Sequence, residues 1–203
     1  MAQKKIKGWV LALIIAAGVI VLGSMAGCSK YNGMVQMQEE VDKAWSQVQN
    51  QYQRRYDLVP NLVSTVKGYA AHESDLLTQV TEARSKAGGV INVGPEVLED
   101  PEAFARFQQI QDQLGSSLQR LMAVTEAYPD LKANENFLAL QNELEGTENR
   151  IATERKRFND AVAEYNKYIR VFPNNLIANM GGFEKKTYFS AGLEAQSAPK
   201  VEF

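Results

Sequence analysis

The sequence predicts an all-α protein, an elongated, antiparallel, up-and-down bundle of three or four long helices behind an N-terminal membrane anchor. Three observations predict it. Apolar residues recur every three or four positions along most of the chain, the spacing that keeps a stripe on one helix face. Prolines and glycine pairs stand where such stretches would start, stop or bend. No segment alternates apolar and polar residues in steps of two, as a half-buried strand would. At 203 residues, 45% hydrophobic and 23% charged, the chain has the makeup of one folded domain with appendages.

The anchor comes first. Lys4, Lys5 and Lys7 precede an uncharged, mostly apolar run from Gly8 to Ser29. Its central part, Trp9 to Gly27, makes about 28 Å of helix at ~1.5 Å per residue, enough to cross a hydrocarbon core. Lysines before the span, with only Lys30 close after it, favour a cytoplasmic N-terminus and place the remainder on the periplasmic or extracellular side. A second reading stays open. Ser24-Met25-Ala26-Gly27-Cys28 resembles a bacterial lipobox, and Cys28 is the chain's single cysteine. Cleavage before Cys28 and acylation of its thiol would replace the spanning helix with a lipid anchor. The domain boundaries expected are therefore 1–30 for the anchor or lipoprotein signal, 31–190 for the bundle and 191–203 for a flexible tail.

In the bundle, one stripe runs through Met34, Met37, Val41, Ala44, Trp45, Val48 and Tyr52 and resumes at Val59, Leu62, Val66 and Tyr69. It continues through Leu76 or Leu77 to Val80, Ala83 and Ala87. Pro60 interrupts it: proline lacks an N–H, so the Tyr56 carbonyl loses its helical partner. Either a long helix kinks there, the preferred reading, or it breaks into a hairpin. Arg54, Arg55 and Asp57 flank this point and could serve the freed backbone groups or dock a partner. After Gly88-Gly89 a loop is expected to residue 100, with Asp100-Pro101 as cap and first residue of the next helix. That helix carries Phe104, Phe107, Ile110, Leu114, Leu118, Leu121 and Tyr128. The last long helix carries Phe137, Leu140, Leu144, Ile151, Phe158, Val162, Tyr165 and Ile169 in near-heptad steps and stops before Pro173. Glu148 and Arg155 sit within its stripe, where an unpaired charge costs several kcal/mol; an ion pair with Arg54, Arg55 or Asp57 is expected. Asn174-Asn175 opens a short helix closed by Gly181-Gly182, after which Phe183, Tyr188 and Phe189 fold back onto the bundle.

Five strings together resemble the LemA family: Arg54-Arg55-Tyr56-Asp57-Leu58-Val59-Pro60-Asn61-Leu62-Val63, Val66-Lys67-Gly68-Tyr69-Ala70-Ala71-His72-Glu73, Tyr128-Pro129-Asp130-Leu131-Lys132-Ala133-Asn134, Leu144-Glu145-Gly146-Thr147-Glu148-Asn149-Arg150-Ile151 and Phe172-Pro173-Asn174-Asn175. The resemblance covers roughly residues 31 to 190. It implies a bundle held outside the cytoplasm of a bacterial cell by an N-terminal apolar segment, with no established activity or ligand. It also implies candidate partners, a membrane zinc metallopeptidase of the HtpX type or TPM-domain proteins. Cys28 departs from the plain membrane helix usual in the family.

The sequence offers little chemistry. Basic and acidic residues number 22 and 24, interspersed, so there is no clustered basic face for nucleic acid. His72-Glu73 begins like a helical zinc motif, but Leu76 stands where the second His is needed and the chain has one His. Carboxylate neighbours such as Glu39-Glu40 diverge on a helix and cannot share a reacting atom. No catalytic residue, metal site or cofactor is expected. The function expected is a non-enzymatic scaffold that self-associates and organises envelope proteins or membrane lipid. Helices of about 55, 28 and 36 residues at ~1.5 Å each would leave Met34, Met37 and Trp45 without a partner in one chain, which a homo-oligomer would cover. The alternative is an adaptor or regulator of a membrane metallopeptidase, docked through Arg54, Arg55 and Asp57 or through the terminal Val201-Glu202-Phe203, which resembles strand-added ligands of PDZ-type grooves.

Overall fold

The computed structural model describes residues 8–70 and 72–190. Helix α1 is uninterrupted from Gly8–Tyr69, through both the apolar run and Pro60. The chain then reverses and descends as α2, Ser74–Gly88. A short 3-10 helix, Pro95–Glu99, leads into α3, Pro101–Thr125, which ascends again. After the single turn α4, Pro129–Lys132, the long α5 descends from Glu135–Arg170, and α6, Asn174–Gly181, closes the lower end. Residues 183–190 then climb back along the bundle as an extended strap. The all-α, antiparallel architecture is the one the sequence predicts.

The reversal lies at Ala70–Glu73, and the stripe does not continue helically to Ala87. Periodicity misses this because α2 keeps the phase of α1: Val66 and Ala70 are buried, as are Leu77 and Val80, seven and ten residues beyond Ala70. Only the polar His72-Glu73-Ser74-Asp75 sequence marks the gap. Pro60 is accommodated inside α1, and the orphaned Tyr56 carbonyl is served from elsewhere. Arg84 of α2 donates its Nε–H to Tyr56 O at 3.2 Å and lays its guanidinium over the Tyr56 ring at 3.8 Å. Neither Arg54, Arg55 nor Asp57 takes that role. The antiparallel neighbour thus repairs the helix that proline leaves short of one bond.

The expected cap at Asp100 forms, accepting from the Glu102 and Ala103 amides at 2.9 and 3.0 Å. Asn134 also caps α5, accepting from Phe137 N at 3.0 Å, whereas α6 starts after Pro173 without a side-chain cap. Gly182, with φ +73°, ends α6 in the left-handed region that glycine enters without cost.

Two cores stack along the bundle. The distal one is mainly aliphatic, with Val59, Leu62, Val66, Val80, Leu114, Leu118, Leu121 and Leu144 around the buried Phe137 ring. The proximal one, nearer the apolar run, is aromatic: Trp45 packs on Phe104, Phe107, Phe158 and Phe189 at centroid distances of 5.9, 5.1, 5.6 and 6.1 Å. Met34 and Trp45 are fully buried there, Met37 is half-buried, and α5, α6 and the strap cover them. The expectation that this part of α1 lacks a partner within one chain is therefore overturned, because the descending α5 reaches Gly33 and Lys30 through Tyr168. Phe183 and Phe189 do fold back, whereas Tyr188 stays exposed.

Candidate functional site

Between the two cores lies a polar layer built by α1, α3 and α5. Arg55 enters it from α1, only 3% exposed. Its Nη2 donates to Gln111 O at 2.9 Å and Gln111 Oε1 at 2.8 Å, and its Nη1 donates to Glu148 at 3.2 and 3.4 Å. The guanidinium also lies 5.0 Å from the Tyr52 ring centroid. Gly115 makes room for it: a Cβ there would stand 3.2 Å from Arg55 Nη1. Two turns below Glu148 on α5, Arg155 donates to Asp112 at 3.1 Å and covers the Phe189 ring at 4.5 Å. Of the pairs the sequence suggests for the charged α5 positions, Arg55–Glu148 forms, and Arg155 finds an α3 carboxylate instead.

Arg54, Arg55 and Asp57 do not make one surface. Arg54 is exposed and pairs with Glu143 across to α5 at 2.9 Å. Asp57 is exposed and accepts from Gln53 of its own helix at 2.8 Å. Arg55 points inward, so a partner could reach only Arg54 and Asp57. Val201 and Phe203 lie outside the described residues. Cys28 is exposed on α1, and His72 is exposed at the α1–α2 reversal.

What the layer can do chemically is limited by how its groups are committed. Ser117 and Thr147 donate their hydroxyls to backbone carbonyls one turn earlier. Burial raises the Tyr52 phenol to about 12, so it stays neutral at ordinary pH. Among the described residues no three His, Cys, Asp or Glu gather as a metal set. Glu148 lines a groove of about 450 Å³ between α3 and α5, with Leu118, Met122 and Leu144 as its apolar walls. This is an open seam lined by two acidic residues, Glu145 and Glu148, and Glu148 is already paired with Arg55.

A second set of polar residues was not legible as a group. Asn166 donates to Lys186 O and accepts from Lys186 N, at 2.8 and 2.9 Å. Asn159, one heptad away, does the same for Phe189 at 3.0 and 2.9 Å, and Gln108 of α3 for Ser190 at 2.9 and 3.3 Å. Side-chain amides thus stand in for a neighbouring strand. Lys186, 4% exposed, reaches Glu99 at 2.6 Å beneath them. The sequence signal was there in the polar Asn159 and Asn166 beside an apolar stripe, but nothing in it says what they hold.

The model of the LemA family matches residues 44–203. The chain belongs to the LemA family. Two magnetosome proteins are similar to it: MamQ of Magnetospirillum gryphiswaldense, 29% identical over 79% of this chain and 64% of its own length, and MamQ 2 of Paramagnetospirillum magneticum, 29% identical over 90% and 73%. Protein LemA of Metamycoplasma hominis is 25% identical over 72% of this chain and 63% of its own. The chain thus spans just under two thirds of the length of two of these LemA-family relatives. With an apolar N-terminal helix running into the bundle, it is a membrane-associated helical protein of that family.

Proposed function

We propose that this LemA-family chain is a non-enzymatic scaffold, anchored by α1 and carrying its bundle outside the cytoplasm, where it organises envelope proteins or the membrane. The observation that carries the reading is the continuity of α1. One helix of 62 residues includes the apolar run and supplies Met34, Val41, Trp45, Tyr52 and Val59 to both cores. Anchor and bundle are joined without a linker, so the bundle stands at a fixed height on the bilayer rather than swinging. Its interior is committed to packing and to paired charges, which suits presentation of surfaces more than turnover. Two relatives carry the name magnetosome protein, which places them with an assembly and names no reaction. The lysines preceding the span support the outward orientation.

Photo-cross-linking from exposed positions such as Gln119 and Arg150, in native membranes, tests the scaffold. Discrete adducts with other proteins, or with a second copy, are the expected result. Only uncross-linked monomer at cellular concentration would count against it. A reporter joined after Phe203 that is active inside the cell would overturn the orientation.

A further inference from the structure

The lower end of the bundle carries apolar side chains that no core uses. Helix α6 packs against α1 and α5 through Asn174, Ile177 and Ala178, which lie on one face. On the opposite face Leu176 and Met180, four residues apart, are 54% and 90% exposed, and Phe172 just before the helix is 80% exposed. Other large apolar residues left open on the bundle, such as Val35, Tyr69 and Leu138, stand singly and are 38–44% exposed, so this corner is the place where the most exposed ones gather. Its height is fixed by α1. Gly181 and Phe183 abut Tyr31, the latter in an edge-on ring contact at 5.2 Å. Tyr31 is four residues past Gly27, about 6 Å along the helix axis, where the ~30 Å hydrocarbon layer gives way to about 6 Å of headgroups. Exposed cations lie on the segments that meet here, Lys30 beside Tyr31 on α1, Arg170 at the end of α5 and Lys185 on the strap, with the acidic Glu184 next to it.

The geometry points to a second membrane contact: the α5–α6 corner docks into the headgroup layer of the bilayer that α1 crosses, with Phe172, Leu176 and Met180 as an apolar wedge and the cations facing anionic lipid. This rests on the reading of α1 as the membrane-crossing segment. A helix lying in the interface with its apolar face sunk ~5–10 Å matches the pattern of exposure seen. Such a contact holds the bundle by two points, and so fixes its tilt as well as its height.

Depth-dependent quenching tests it. Full-length protein in a Cys28→Ser background receives one thiol-linked fluorophore, through Met180→Cys, Ile15→Cys or Glu145→Cys. Each is reconstituted into phosphatidylcholine vesicles containing phosphatidylglycerol and lipids spin-labelled near the headgroup or deep in the acyl chain. Position 180 is expected to lose emission several-fold to the shallow quencher, position 15 to the deep one, and position 145 to neither. If position 180 behaves like position 145 while position 15 is quenched, the corner contact is overturned and the anchor stands. If position 15 is not quenched, the anchor reading fails and takes the corner with it. Adding Phe172→Asp and Leu176→Asp should restore most of the emission at position 180, with circular dichroism unchanged. Full quenching in that variant would overturn the wedge.

Discussion

The proximal and distal halves of the bundle solve the same packing problem differently. Proximally, the seam between α3 and α5 is closed by the strap, whose Phe189 completes an aromatic cluster with Trp45, Phe104 and Phe158. Distally the same two helices leave an open groove, and the fourth wall is α2, packed through Leu77, Val80, Ala83 and Ala87 against α1 and α3. Where the bundle meets the apolar run of α1 it is thick with rings, and its α3–α5 seam is sealed. Further out it is mainly aliphatic, Phe137 being the one buried ring of that core, and it leaves room along one seam. The difference indicates that packing is tightest in the half beside the apolar run of α1, and that the α3–α5 seam opens only in the outer half.

The largest effect should come from the centre of the sealed half. Trp45→Ala removes a side chain 1% exposed that touches four rings, and a loss of about 3–5 kcal/mol is expected. Leu118→Ala in the distal core should cost nearer 2 kcal/mol, because Leu118 borders the groove and its neighbours can relax into it. Urea unfolding of both variants measures the gap. Equal losses would show that the open seam does not soften the outer core.

The polar layer between the halves should come next. Arg55→Ala strands Gln111 and Glu148, with a cost of about 3 kcal/mol, the lower end for a broken buried pair since the Glu148 side chain is 37% exposed. Glu148→Gln should cost less than ~1 kcal/mol, because Gln111 still holds the guanidinium and solvent screens the lost charge. The asymmetry is the point. Equal costs for the two variants would mean that the ion pair, and not the Arg55–Gln111 contact, joins α1 to its neighbours.

How much of this was readable follows from which physics leaves a mark on sequence. Burial on one helix face leaves a period, so the stripes of α1, α3 and α5, and the Asp100 cap, stood in plain view. A reversal that preserves the stripe's phase leaves none, which is why the turn at Ala70–Glu73 was passed over and Pro60 seemed the weak point. The repair of Pro60 by Arg84 was equally hidden, since a residue 28 positions away in sequence becomes a neighbour only after the hairpin forms. Charges within a stripe announce that they must pair, and Glu148 did so with one of the residues expected. The strap left only its aromatic residues as a hint, because an extended segment bonded to side-chain amides has no period of its own.

Releasing the strap tests whether it is what seals the proximal half. Asn166→Ala leaves the Lys186 N–H and C=O without partners in a buried position, and about 1–3 kcal/mol should be lost. Amide hydrogen exchange should accelerate along 183–190 and in the neighbouring α5, with α2 unchanged. Acceleration spread evenly over both halves would break the distinction between them.

The smallest effect at neutral pH, and the most diagnostic at high pH, belongs to the buried phenols of the proximal half. Burial raises Tyr52 and Tyr165 each to about 12, and neither hydroxyl has a partner. The neutral form is thus favoured in the folded state, with an unfolded value near ~10. Stability from this source is complete below about pH 10 and is lost as pH rises toward 12, because the unfolded chain releases its protons first. Tyr52→Phe should therefore be close to neutral at pH 7, since it deletes a hydroxyl that bonds to nothing. Above pH 10 the same variant should outlast the parent in thermal melts. The distal core contains no buried tyrosine among the described residues, so alkaline unfolding should begin in the aromatic half, reversing the order expected from packing alone. Loss of distal exchange protection first, at pH 11, would show that ionisation of Tyr52 and Tyr165 does not govern the alkaline transition.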